Sequence, residues 1–284
     1  MDAHDQAGEV STYYDRNTRR FLTFGVGGRA QAIRRAVWAP GVESREEALQ
    51  YANGRILGEL RQLGAETVVD LGCGVGGSIR YLGERHPASY EGVTLSPVQA
   101  EMAKSVTSGL RSRIHLRSFT DAAFWNDVPD PIDAAFSIEA SVHVRDLTPA
   151  LREAAGKIRH GGRLVVVDDF LREAPPGSAR EERWIREFKE GWHAPGLRRV
   201  SQLQKAAEDH GFALLENDDL TPYLELDRPR DLAARLFVSL LRWWPWKGAW
   251  FSNLYGGNAL QLSLKARLFN YRYLVFERDP PKTA

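Results

Sequence analysis

The feature that most constrains this chain is the stretch Thr67-Val68-Val69-Asp70-Leu71-Gly72-Cys73-Gly74-Val75-Gly76-Gly77. Its first half is a β-branched run of the kind that forms a strand buried on both faces, which requires helices on both sides of the sheet. Its second half is a glycine-rich turn leading into a helical segment at 78–84. Glycines let the backbone approach a ligand closely, and the first turn of the next helix presents unpaired amides. Strand, loop and helix in that order imply a nucleotide-like ligand.

The surrounding pattern repeats the alternation. Ser44 and Glu47 form an S-x-x-E capping box ahead of Leu49, Ala52, Ile56, Leu57, Leu60 and Leu63 at helical spacing, and Gly64 is a natural stop. Beyond the glycines come a strand at 90–95, a helix at 97–109, strands at 114–117 and 132–138, a helix at 149–158 and a fifth strand at 163–167. Such alternation predicts an α/β fold with a parallel sheet, whose ligands sit at the carboxyl ends of the strands. Residues 171–199 break the rhythm and read as an inserted lid, followed by a helix at 201–210 and the apolar run 212–215. A second insertion at 220–265 precedes 268–277, which reads as a final antiparallel edge strand. The expected organisation is a cap segment over 1–43 and one domain over 44–284.

Composition narrows the partners. Lys plus Arg number 38 against 37 for Asp plus Glu, a net charge of +1 that gives little attraction to nucleic acid. Cys73 is the single cysteine, which excludes an intrachain disulfide or a thiolate-built zinc site and suits a reducing compartment. With no basic residue near it in sequence, it reads as a small buried filler rather than a nucleophile. The first residues lack the pattern of a signal peptide, and the longest apolar run, 236–241, falls far short of the roughly 20 residues of a membrane span. A cytoplasmic protein with no membrane anchor is expected, and a homo-oligomer is compatible with its aromatic content.

Taken alone the glycine loop is ambiguous, because Gly72, Gly74 and Gly77 also satisfy the G-x-G-x-x-G pattern of dinucleotide binding. That site wants an acidic residue at the carboxyl end of the second strand. Glu91 stands at the start of that strand, and its end carries Leu95-Ser96. Asp70, beside the glycines, is placed to hold the ammonium of an amino-acid-bearing cofactor. Both details favour S-adenosylmethionine over NAD(P). A nicotinamide-dependent oxidoreductase and a non-catalytic binding protein remain as alternatives.

Residues 69–77 together with Gly92-Val93-Thr94-Leu95-Ser96-Pro97-Val98-Gln99-Ala100 resemble the class I S-adenosylmethionine-dependent methyltransferases. Within them the chain is most similar, over about 45–170, to the tocopherol and sterol C-methyltransferases and their natural-product (terpenoid) relatives, more distantly to cyclopropane fatty-acid synthases. The resemblance implies a Rossmann-like seven-stranded fold with N-terminal and C-terminal helical lid insertions. It implies that Gly72, Gly74 and Gly76 line the methionine and ribose of the cofactor, and that Thr94, Leu95 and Gln99 meet ribose and adenine. Ser118 and Phe119 would flank the adenine, and an N-terminal tyrosine, Tyr13 or Tyr14, would fold over it. Read without the resemblance, Ser96, Pro97 and Gln99 are the cap, first and third residues of a helix, a capping box that needs no ligand.

Methyl transfer from a sulfonium is an in-line displacement, so the protein mainly aligns the acceptor and excludes water. A hydroxyl or amine acceptor needs a base; an alkene acceptor forms a carbocation that needs stabilisation and a base. Glu139 and His143, just after the fourth strand, are the base candidates and would project to one side if a helical turn begins there. No Asp/Asn-Pro-Pro-Tyr/Phe sequence, which resembles the mark of amino-directed nucleic-acid methyltransferases, follows that strand. Trp184, Trp192, Trp243, Trp244, Trp246 and Trp250 all follow the fifth strand and point to an aromatic-lined pocket, with ordinary core or an oligomer interface as the alternative. The pairs Arg19-Arg20, Arg34-Arg35 and Arg198-Arg199 read as solvated surface pairs, or as forks for a prenyl diphosphate accompanied by Mg2+. No metal site built from protein side chains alone is expected. The expected reaction is methylation of a hydrophobic small molecule, first an isoprenoid-derived precursor at carbon, a preference resting on the resemblance. The alternative is O- or N-methylation of a polyketide or alkaloid. Gly74→Val is expected to abolish cofactor binding, measured by calorimetry with S-adenosylhomocysteine, by filling the space the ligand needs.

Overall fold

A computed structural model of the chain describes residues 34–279 apart from 227, 229–231, 233–234, 237 and 239–248. Helix α1 (Arg45–Leu63) starts at Ser44, where the expected capping box forms in both directions, and stops at Gly64 in the left-handed conformation. There follow β1 (Thr67–Leu71), α2 (Gly77–Gly83), β2 (Ser89–Thr94), α3 (Pro97–Val106), β3 (Ser112–Leu116), α4 (Ala122–Asp127), β4 (Ile132–Ile138), α5 (Thr148–Lys157) and β5 (Ile158–Leu171). Helix α4 was not legible in the sequence: its six residues, capped by Asp121, are too few to show a period.

The seven strands order as β3-β2-β1-β4-β5-β7-β6, the first five parallel. Strand β7 (Phe269–Arg278) runs antiparallel between β5 and β6 (Phe212–Asp219). The last strand is therefore not the edge that its sequence position suggested; β6 is. The reason lies in burial: Tyr271, Tyr273, Leu274, Val275 and Phe276 are almost wholly covered, whereas Leu215 on β6 is 52% exposed. Strand β5 is longer than expected because Asp168, Asp169, Phe170 and Leu171 continue the ladder against β7.

Successive residues of β5 feed opposite layers, as a doubly covered sheet demands. Leu164 and Val166 pack in the layer of Phe124 and Trp125, and Val165 and Val167 in the layer of Ile56 and Leu60. The expected lid at 171–199 contains α6 (Ala179–Gly191), followed by α7 (Val200–Glu208), and the second insertion contributes α8 (Ala249–Lys265). A side chain at Gly256 of α8 would meet the Trp192 ring at 2.7 Å, so the two insertions pack on each other. Because β1 has β2 on one side and β4 on the other, the ligand crevice lies at the carboxyl ends of β1 and β4.

Tyr273 buries its hydroxyl with no hydrogen-bond partner, while its ring lies 4.2 Å beneath the Arg55 guanidinium. Phe keeps the ring and removes the orphaned oxygen. Tyr273→Phe should therefore raise stability by about 1 kcal/mol in urea unfolding.

Candidate active site

At the end of β1 the chain turns with Gly72 N and Cys73 N both donating to Val93 O, at 3.1 and 2.9 Å, which pins the loop to β2. The three glycines do different work. Gly72, at φ +101°, lies so close to Ala140 after β4 that a side chain there would clash with the Ala140 Cβ. Gly76 faces α3, where its Cβ would come within 3.0 Å of the Ala103 backbone. Gly74, at φ +52°, faces open space. Asp70 is 2% exposed and its Oδ2 has no hydrogen-bond partner. Burial pushes its pKa up to about 7, against the opposing pull of Arg34. Arg34 donates through Nη2 to Ser78 Oγ at 2.9 Å, while its buried Nη1 has no acceptor. Cys73 is buried, and that burial raises its thiol pKa well above the usual value, in keeping with a filler role.

At the end of β2, Thr94 Oγ1 donates to Gln99 Oε1 at 3.0 Å, and Ser96 Oγ accepts from Gln99 N at 3.1 Å. The Ser96 half of the expected capping box forms. The Gln99 side chain reaches Thr94 at the strand end, and half-buried Leu95 follows that residue in the chain. Beyond β3, Ser118 Oγ pairs with Thr120 Oγ1 at 2.7 Å. Phe119, its carbonyl held by Trp125 Nε1 at 2.8 Å, comes within 4.0 Å of a Cβ built on Gly72. Glu91 is bonded to His115 Nε2 at 2.6 Å inside the sheet, away from the strand end.

Glu139 follows β4 in a left-handed conformation at φ 53°, an uncommon setting for a side-chain-bearing residue that the surroundings hold. Its N donates to Val167 O at 2.8 Å. Its Oε1 accepts from Tyr271 Oη at 2.8 Å and from Arg35 N at 3.1 Å. Burial, then the Glu139 charge, raises the Tyr271 pKa well above the usual value, so the phenol stays a donor. The helical turn envisaged from Glu139 to His143 does not form; the left-handed residue breaks it, and Ser141–His143 is a 3-10 turn. His143 Nδ1 lies 2.9 Å from His193 O, and burial lowers its pKa, so the ring is neutral near pH 7. Gly196 N donates to Val142 O, and Arg198 donates to the carbonyls of Ser141, Val144 and Gly196. The lid is thereby stitched to the turn.

Two acids that the sequence reading passed over complete the site. Asp168 Oδ2 accepts from Ser141 Oγ and Val142 N, at 2.7 and 2.9 Å, and burial, then neighbouring Asp169, pushes its pKa up to about 7. Asp169 forms a two-pronged ion pair with Arg35, whose guanidinium sits 4.8 Å over the Tyr271 ring. Arg34-Arg35 is thus no solvated pair; it is folded into the crevice, with Arg35 committed to Asp169. Arg198 is likewise spent on carbonyls. Two carboxylates closing an otherwise apolar strand were a signal for Asp168 and Asp169; for Tyr271 there was none. Tyr13, Tyr14, Arg19, Arg20, Trp243, Trp244 and Trp246 lie outside the described residues. Trp184 and Trp192 pack with Phe188, Phe269 and Val142.

A family model described as a methyltransferase domain matches residues 30–217. The chain belongs to the methyltransferase-domain family. Fold and family together make it an S-adenosylmethionine-dependent methyltransferase. Among curated proteins it is similar to an O-methyltransferase of Pyrenophora dematioidea, 26% identical over 78% of this chain and 82% of that protein. It also resembles the chloroplastic tocopherol O-methyltransferase of Arabidopsis thaliana, 33% identical over 49% of this chain and 40% of that protein. Among solved structures, geranyl diphosphate C-methyltransferase from Streptomyces coelicolor A3(2), in complex with Mg2+, geranyl diphosphate and S-adenosyl-L-homocysteine, shares the fold. Its TM-score is 0.66 at 19% identity, covering 98% of this chain and 99% of that one.

The methyltransferase family membership sets the oxidoreductase alternative aside, and Glu91, bound to His115, agrees with it. Among the described residues no helix is long and apolar enough to cross a membrane, and no group of three or more His, Cys, Asp or Glu is arranged to hold a metal ion. The buried acids make the fold sensitive to pH. Between about pH 4 and 7 the folded chain keeps protons on Asp70 and Asp168 that the unfolded chain, ionising near 3.8, has released. Stability therefore falls as pH rises through that window, by up to about 4 kcal/mol for each carboxyl. Denaturant unfolding at pH 5 and pH 8 should show this fall, and Asp70→Asn should lose its share of it.

Proposed function

We propose that this methyltransferase moves a methyl group to a hydrophobic small molecule with Glu139 as the general base. The observation that carries the reading is the setting of Glu139. Its Oε1 takes both hydrogen bonds, from Tyr271 and Arg35, so Oε2, with no bond among the described residues, is left for a substrate proton. It stands after β4, beside the glycine loop, where the strand order places the crevice. Of the two base candidates the geometry favours Glu139, since the His143 ring is anchored to the lid through the His193 carbonyl.

The residues present fit a sulfonium nucleoside. Asp70 offers a buried, unpartnered carboxylate oxygen to an ammonium, and Gly74 leaves room where a side chain would stand. Gly72 and Gly76 support the loop by closing on Ala140 and α3. Thr94, Leu95 and Gln99 at the end of β2, with Ser118 and Phe119 after β3, form the ribose and adenine side, and Tyr14 is assigned to the cover. The bound cofactor supplies an electrophilic methyl group. The chain's own part is to orient the acceptor against it, to exclude water with α6 and α8, and to receive the displaced proton on Glu139.

The acceptor is taken to be isoprenoid-derived, a reading supported by the similarity to the tocopherol and geranyl diphosphate enzymes. A fixed carboxylate serves carbon, where it removes a proton from a methylated cation, and equally oxygen, where it takes a hydroxyl proton. The O-methyltransferase of Pyrenophora dematioidea favours oxygen as the second reading. The commitment of Arg35 and Arg198 to internal partners supports an uncharged acceptor over a diphosphate carried with Mg2+. Glu139→Gln keeps an acceptor for Tyr271 and Arg35 while removing the base. It should lower turnover roughly 100-fold or more with S-adenosylhomocysteine affinity changed less than about threefold. Equal losses in both would make Glu139 a cofactor ligand instead.

A further inference from the structure

Two buried polar atoms of opposite charge flank the glycine loop, and neither is satisfied. One is Asp70 Oδ2, at the end of β1; the other is Arg34 Nη1, whose sister nitrogen is fixed 2.9 Å from Ser78 Oγ in the first turn of α2. A buried carboxylate oxygen and a buried guanidinium nitrogen left unbonded each carry a penalty that native structures rarely leave in place. These two are near enough to bias each other's ionisation, yet they make no ion-pair contact. Something that is an acceptor at one end and a donor at the other belongs between them. An α-amino acid meets that description, with carboxylate and ammonium on a single carbon.

Resting on the methyltransferase reading of this site, we propose that Arg34 is the clamp for the α-carboxylate of the cofactor's methionine end. Arg34 Nη1 takes the carboxylate while Asp70 Oδ2 takes the ammonium. The chain positions Arg34 for this from both sides. The adjacent Arg35 is locked to Asp169, and Val37 N donates to Ala48 O at 2.9 Å, so the backbone at 34–37 is tied to β5 and α1. Ser78 holds one edge of the guanidinium and leaves the other to the ligand. Glu139 contributes to the field on Arg34 but spends Oε1 on Tyr271 and Arg35, and no bond joins it to the Arg34 side chain.

The test is calorimetric and needs no turnover. S-Adenosylhomocysteine, its decarboxylated analogue and methylthioadenosine, which lacks the whole amino-acid end, are titrated into the full chain and into Arg34→Ala and Arg34→Lys. The clamp predicts that the wild-type chain prefers S-adenosylhomocysteine over the decarboxylated analogue. It also predicts that Arg34→Ala weakens S-adenosylhomocysteine roughly 10- to 100-fold, with Arg34→Lys in between. Methylthioadenosine and the decarboxylated analogue should bind both variants as they bind the wild type, within about threefold, which also shows that the variants fold. Equal weakening of all three ligands, or tighter binding of S-adenosylhomocysteine by Arg34→Ala, overturns the clamp and leaves the methyltransferase reading of the site standing. Failure of the wild-type chain to bind any of the three overturns that reading along with the clamp.

Discussion

The site depends on how closely β1 and β4 approach each other at their carboxyl ends. A side chain at position 72 would clash with the Cβ of Ala140, so the turn after β1 passes over the turn after β4 only because Gly72 has none. That contact fixes the spacing of the two turns. The loop of Gly74 leads from one strand, and Glu139, forced into a left-handed conformation one residue before Ala140, ends the other. A binding surface and a carboxylate are thereby brought together by backbone geometry alone, before any lid is added. The strain at Glu139 is held by the hydrogen bond from its N to Val167 O, so β5 is part of the same constraint.

Around this contact the fold places four carboxylates, Asp70, Glu139, Asp168 and Asp169, in a crevice framed by apolar strands. Each is answered by a group from a distant part of the chain, or left waiting. Asp169 has Arg35, 134 residues away; Glu139 has Tyr271, 132 residues away; Asp168 has Ser141 and Val142. Buried charge in such surroundings is tolerated when hydrogen bonds satisfy it. The consequence is mechanical as well as electrostatic. The segment at 34–37, the turn at 141–144, the lid at 193–198 and the inner strand β7 are all tied to one cluster, so displacing any of them disturbs the others. Asp70 is the exception, with an oxygen that no part of the described chain answers.

Only local features could be read from the sequence. The capping box of α1, the five residues of β1 and the glycine turn all announce themselves within a window of ten residues, because period, caps and φ > 0 positions are properties of neighbours. The cluster is not local. Tyr271 reaches Glu139 because β7 inserts between β5 and β6 and its register sets Tyr271 opposite Asp169, a pairing that no short window encodes. The same insertion explains the misplaced edge: a strand with alternating aromatics reads alike at an edge or inside a sheet, and only its two neighbours decide. That Arg34 and Arg35 turn inwards was not legible for the related reason that a dipeptide of arginines carries no information about which carboxylates the fold will bring to it.

The division of labour in the crevice bears on how one architecture serves different acceptors. The carboxylate at 139 is oriented by Tyr271 of β7 and the Arg35 backbone amide, neither of which belongs to the insertions that carry α6 and α8. On the proposed role of Glu139, a base held this way is indifferent to whether the proton it receives comes from oxygen or carbon; it demands only that the proton arrive within hydrogen-bond reach. Selection between acceptors would then fall to groups other than this carboxylate, while Trp184 and Trp192 of the first insertion are packed into a core with Phe188 and Phe269. On that role the atom methylated would be decided by residues whose identity the glycine loop does not constrain.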